Sequence, residues 1–111
     1  MTSKVDVNSF LREFKGIASK RGVKLVKRNK NELANQGLTM LDFQNEIMRL
    51  NYKNYCVGPQ LDKGVPGKVW IFGKIINSGE YYIKLKISSD KTSAVCLSFH
   101  TAKYPLDYPL K

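Results

Sequence analysis

Three runs of β-branched and aromatic residues, 69–76, 80–87 and 94–100, dominate the second half of the chain. They are separated by Asn77-Ser78-Gly79 and by a polar stretch at 88–93. Short runs of this composition between turn residues predict an antiparallel meander. Because strand side chains alternate between faces, the second run sorts into Tyr81, Ile83, Leu85 and Ile87 on one face and Glu80, Tyr82, Lys84 and Lys86 on the other. The third sorts into Val95, Leu97 and Phe99 inward and Cys96, Ser98 and His100 outward. The first run is apolar on both faces, so its register depends on the turn. A two-residue Ser78-Gly79 loop sets Ile71, Gly73 and Ile75 against the tyrosine and lysine face; a three-residue loop sets Trp70, Phe72 and Lys74 there. Burying Trp70 and Phe72 covers the larger apolar area and is preferred, which leaves Lys74 to reach the outer face only from the strand's end.

Upstream, the hydrophobic period becomes helical. Phe10, Leu11, Phe14, Ile17 and Ala18 form the stripe of an amphipathic helix, with Asp6 or Asn8 as its cap, Gly22 as its stop and residues 1–5 frayed ahead of it. Residues 23–27 read as a short edge strand whose lysines discourage pairing with another chain. Asn29 or Asn31 then caps a short helix ending at Gly37. Thr39-Met40-Leu41-Asp42 is a capping-box variant opening a further helix with Met40, Phe43, Ile47 and Leu50 as its stripe. Gly58, Pro59, Gly64, Pro66 and Gly67 predict a mobile loop over 58–68. Two Tyr-Pro steps, at Tyr104 and Tyr108, predict an extended tail over 102–111 that is strapped to the body.

These elements fit one domain of 111 residues, α+β, with N-terminal helices packed on one face of a twisted antiparallel sheet. No apolar run approaches the roughly 20 residues of a membrane span, so a soluble, cytoplasmic protein is expected. Cys56 and Cys96 lack metal-ligand spacing and read as free thiols. Charge changes the picture most. Nineteen Lys and Arg against nine Asp and Glu give +10, which predicts a polyanionic partner. Six bases and no acid between Lys20 and Lys30 are candidates to touch phosphate or an acidic partner.

The sheet lacks paired carboxylates, the chain lacks a glycine-rich phosphate loop, and a single histidine cannot build a His-based metal site. What remains is phosphate chemistry without a metal or other cofactor. RNA is cut that way when its 2′-hydroxyl attacks the adjacent phosphorus, given a proton acceptor, a proton donor and cations for the extra negative charge. Tyr82, Lys84, Lys86 and His100 supply those types on one face.

Trp70-x-Phe72-Gly73-Lys74, Tyr82-Ile83-Lys84-Leu85 and Leu97-Ser98-Phe99-His100, behind a helical hairpin containing Leu38 and with Leu50 before Tyr55, resemble the MqsR family of messenger-RNA interferase toxins, which have a RelE-like fold. The resemblance spans residues 8–101. It implies a toxin that cleaves mRNA through its 2′-hydroxyl and is restrained by a cognate antitoxin with a helix-turn-helix DNA-binding part. It also implies His100, Lys84 and Tyr82 as catalytic residues. His100 stands where the family carries a lysine after Ser-Phe. Lys86, Lys74, Ser98, Lys53 and Lys68 are the candidate RNA-binding residues. The family's lysine after the second helical segment falls near Val57, where Lys53, Lys74 or a lysine of 58–68 could replace it, and its glutamine after the strand tryptophan falls on Ile71.

Overall fold

The computed structural model describes residues 2–26 and 30–111, residues 30–32 by backbone alone. Its elements in order are α1 (Lys4–Arg21), β1 (Val23–Leu25), α2 (Lys30–Asn35), α3 (Met40–Met48), a 3-10 turn (Tyr52–Asn54), β2 (Tyr55–Leu61), β3 (Lys68–Ile76), β4 (Gly79–Ile87) and β5 (Ala94–Thr101). The expected cap at Asn29 and the bases Lys27 and Arg28 lie outside the described residues. Asn31 falls inside α2 and is not its cap.

Helix α1 begins earlier than its stripe suggests. Ser3 is the N-cap, accepting from the Asp6 backbone N–H at 3.2 Å, while the Asp6 carboxylate accepts from the Ser3 N–H at 2.9 Å. Asp6 is therefore the far partner of a capping box, not the cap, and residues 3–5 are ordered by it. The helix stops where Gly22 adopts a φ of +74°. Thr39 and Asp42 form the same device at α3, as expected.

The sheet is open, with strand order β1-β5-β4-β3-β2. β2 through β5 pair antiparallel, and β1 joins parallel to β5, so the sheet is mixed where an all-antiparallel one was expected. At the outer edge of β1 the backbone groups of Val23 meet a side chain instead of another strand. The Gln44 amide of α3 accepts from the Val23 N–H at 2.9 Å and donates to the Val23 carbonyl at 3.0 Å, which closes this edge. At the opposite edge, β2 occupies 55–61, so the expected loop over 58–68 is confined to residues 62–67. Gly58 permits this: its φ is +127°, and a Cβ there would come within 2.9 Å of the Val69 carbonyl.

Two details set the faces. The β3–β4 turn is Asn77-Ser78, both at positive φ, with Ile76 opposite Gly79. This is the primed hairpin geometry, one position earlier than the Ser78-Gly79 loop. Parity is unchanged, so Trp70 and Phe72 are buried as preferred. Between Lys84↔Ser98 and Leu85↔Cys96 the β4–β5 ladder shifts by one residue at Leu97. This bulge reverses the expected inward set before it: Ala94 and Cys96 are buried, Val95 only partly, while Phe99 inward and Ser98 and His100 outward stand.

The helices cover the inner face of the sheet. Phe14, Phe43, Phe72, Phe99, Ile47, Leu50, Ile83 and Leu85 are fully buried there. Phe10 of α1 stacks on Trp70 with ring centroids 4.6 Å apart, and Phe43 of α3 meets Phe99 edge-on at 5.0 Å. Met40, expected in the α3 stripe, is exposed, because only Phe43 and Ile47 of that helix turn to the sheet.

Candidate functional site

The outer face of β4 carries Glu80, Tyr82, Lys84 and Lys86 at alternate positions, and its two ends are closed by different segments. At one end Lys86 is 7% exposed. Its ammonium lies 2.7 Å from Asp62 Oδ2 and donates to the Pro66 carbonyl at 3.3 Å. The 62–67 connector folds over this end of the sheet, with Gly67 beside the Lys86 stem. Lys86, expected among the RNA-binding residues, thus clamps a loop, with its ammonium taken up by Asp62. A period-two pattern places it on the outer face but is silent about what covers that face.

At the other end Glu80 holds the tail. It accepts from the Leu106 backbone N–H at 3.1 Å and from the Tyr108 hydroxyl at 2.7 Å. The tail crosses β3 at Gly73, where a Cβ would come within 2.5 Å of Tyr108 Oη and 2.6 Å of Leu106 Cδ1. A residue without a side chain is what lets the strap lie flat on the strand. The tail is tied to the body through Glu80, turns at 108–111, and lies on the candidate site's own face.

Between these closures are two cross-strand pairs, Tyr82↔His100 and Lys84↔Ser98. The Tyr82 and His100 rings lie 5.2 Å apart, 14° from parallel. His100 Nδ1 is 2.9 Å from the Thr101 carbonyl. A carbonyl only accepts, so Nδ1 carries the hydrogen, and in the neutral form of the ring Nε2 is the nitrogen that holds the lone pair. Burial, and after it the nearby Cys56 thiol, push the Tyr82 hydroxyl above its usual range, so it is a hydrogen-bond donor across neutral pH. Lys84 has no ion-pair partner among the described residues and is the lysine left to meet an anion here.

The other predicted residues are elsewhere. Lys74 points to the helix face, where its ammonium is 2.7 Å from Glu46 Oε1, because burying Trp70 and Phe72 carries the same-parity lysine inward. Lys53 sits in the 3-10 turn, tied beside β3 by Asn54 Nδ2 donating to the Gly73 carbonyl at 3.1 Å and two strands away from Tyr82. Lys68 starts β3 opposite Leu61, on the parity of Trp70. Neither joins the cluster.

Three features of the site escaped sequence reasoning: Gly73 as the strap's bed, Glu80 as its anchor, and half-buried Cys56. Burial and the carboxylates of Glu80 and Asp107 push the Cys56 thiol up to about 12, which makes it a poor nucleophile. The repeated Tyr-Pro step was the available signal for the strap. Where the strap leaves the sheet, a cavity of about 390 Å³ lies between Tyr82 and His100 on one side and residues 102–106 on the other. A separate groove of about 510 Å³ runs along α1 past Gly16 to the β4–β5 loop, lined by Arg12, Lys20, Arg21 and Lys91 with Glu13. Among the described residues no three His, Cys, Asp or Glu side chains converge, and no helix is long and apolar enough to cross a membrane. No protein-family model, curated protein or solved structure matches the chain.

Proposed function

We propose that the outer-face cluster cleaves RNA without a metal ion, through attack of a 2′-hydroxyl on the adjacent phosphorus, and that the chain is the mRNA-cleaving toxin of a toxin–antitoxin pair. The observation that carries this reading is the stacked Tyr82–His100 pair beside Lys84, with the His100 tautomer fixed through Thr101. His100 Nε2 takes the 2′-hydroxyl proton as the 2′-oxygen bonds to phosphorus. The P–O5′ bond then breaks, and the departing oxygen takes a proton from the Tyr82 hydroxyl, leaving a 2′,3′-cyclic phosphate and a 5′-hydroxyl. The imidazolium stacked on Tyr82 stabilises the phenolate so formed, and Lys84 neutralises the charge that builds on the phosphoryl oxygens. Labelled single-stranded RNA incubated with the protein in excess chelator should yield cyclic-phosphate ends. Intact RNA after prolonged incubation with folded protein refutes the reading.

The basic groove on α1 favours a second reading, a polyanion-binding module without catalysis. It predicts a shifted but uncut RNA band. Its affinity should fall by roughly 0.7 decade per decade of salt for each phosphate contact on single strands.

A further inference from the structure

We propose that the cavity between the strap and the Tyr82–His100 pair is a nucleobase pocket. It would hold the base of the nucleotide whose 2′-hydroxyl His100 deprotonates, and so rests on the RNA-cleavage reading. Its volume of about 390 Å³ lies at the small end of ligand sites, roughly 300–1,000 Å³, and admits one nucleoside but no longer piece of chain. Tyr82 and His100 stack on one another, and an outer ring face of that stack gives the sheet side a surface on which a planar heteroaromatic ring stacks whatever its sequence.

The opposite side is equally suited to a flat ligand. Pro105 fixes the strap's backbone, and the hydrogen bonds from Leu106 and Tyr108 to Glu80 hold the strap in place before any ligand arrives. Tyr104 lines the same cavity yet remains 80% exposed, a large aromatic with no packing role in the fold. Lys103 adds a cation to the lining, within reach of a phosphate attached to the bound nucleoside. A base held here keeps its ribose beside His100, which ties recognition to the proton acceptor. Because the lining is mainly apolar and holds no side-chain amide or carboxylate to read a base edge, the pocket selects for a base over no base more strongly than for one base over another.

The full chain, labelled for NMR, is titrated with the four nucleoside 3′-monophosphates and with ribose 5-phosphate, which lacks the base. The nucleotides should shift the resonances of Tyr82, His100 and residues 102–106, and ribose 5-phosphate should bind at least about tenfold more weakly. Tyr104→Ala, a change at an exposed position, should weaken nucleotide binding by roughly 5- to 100-fold. Gly73→Ala supplies the second variant. The added methyl would come within 2.5 Å of Tyr108 Oη and 2.6 Å of Leu106 Cδ1, so those side chains must give way, the strap's hold on the sheet loosens and the nucleotide shifts should weaken. Equal binding of ribose 5-phosphate, or shifts confined to Lys84 and Ser98, overturns the pocket. Wild-type binding by Gly73→Ala overturns it as well. Nucleotide binding at 102–106 without RNA cleavage keeps the pocket and removes the catalytic reading; cleavage without those shifts does the reverse.

Discussion

Tyr82 and His100 face each other across β4 and β5, their rings 5.2 Å apart and 14° from parallel. Their neighbours Lys84 and Ser98 are the next pair on the same face, two residues further in β4 and two earlier in β5. On the proposed mechanism, proton transfer and phosphate holding fall to different residues of one small square.

That separation gives distinct mutant signatures. His100→Ala should bind RNA nearly as well as the parent and lose about 10² to 10⁴ in cleavage rate. Lys84→Ala should lose binding and cleavage together. Gel shift and single-turnover cleavage on the same variants distinguish them, and a His100→Ala protein that cuts at the parental rate makes the histidine structural.

Lys86 should behave as a stability residue. Its ammonium is nearly buried against Asp62, so Lys86→Ala strands a mostly covered carboxylate and should cost roughly 2 kcal/mol, below the usual figure for a fully buried pair because Asp62 keeps some solvent. Replacing both partners, Lys86→Met with Asp62→Leu, should recover most of that loss. Denaturant midpoints of the three variants test it. RNA affinity lost in proportion to Lys86 charge, with unchanged stability, would return this residue to the site.

Tyr108→Phe removes the hydroxyl that donates to Glu80 and should cost about 1 kcal/mol, since the bond is charge-assisted but partly solvated. Burial first, then the hydrogen bond to Glu80, raises the Tyr108 ionisation above its usual value. The folded state therefore holds this proton more tightly than the unfolded chain. Its stabilising contribution is complete below about pH 10 and is lost as pH rises beyond that. Thermal melts against pH should show an alkaline decline that Tyr108→Phe makes shallower.

On the acid side the sign is opposite. The Asp90 carboxylate accepts from the Ser88 and Thr92 hydroxyls, each at 2.7 Å, and its pKa is lowered to about 2. Backbone hydrogen bonds at the two capping boxes lower Asp6 and Asp42 as well. Carboxylates depressed in the folded state stabilise it above about pH 4, and the contribution disappears as pH falls through their folded values. Melting temperature should drop between about pH 4 and pH 2, and Asp90→Asn should lessen that drop.

Phe99 is fully buried between Phe43, at 5.0 Å, and Tyr81, at 5.2 Å. Phe99→Ala should cost about 3–5 kcal/mol. At roughly 4–8 °C per kcal/mol for a small domain, that lowers the melting temperature by at least about 10 °C. Circular dichroism on heating measures it; a loss under 1 kcal/mol would mean that the site collapses around the missing ring.

Much of the architecture is legible in the chain because its causes are local. Alternating residues of 80–87 declare a strand with one apolar face, the spacing of Phe10, Leu11 and Phe14 declares a helix, and Thr39 with Asp42 declares that helix's start. Each needs only residues within a turn or a strand's length of one another. The choice to bury Trp70 and Phe72 also follows from area alone, and the outward placement of Tyr82, Lys84, Ser98 and His100 from the alternation of their own strands.

Tertiary structure decided what depends on distant segments meeting. The extra residue at Leu97 is set by matching β5 to both β4 and the parallel strand β1, which no single strand's pattern contains. Lys86 and Lys74 look like their neighbour Lys84 in sequence, yet one is taken up by Asp62, 24 residues away, and the other by Glu46, 28 residues away. The strap reaches Glu80 from Tyr108 across another 28 residues and lies on Gly73. Periodicity assigns a side chain to a face; only the folded chain determines which other segment comes to cover it, because that depends on long-range packing and on the pairing of buried charge.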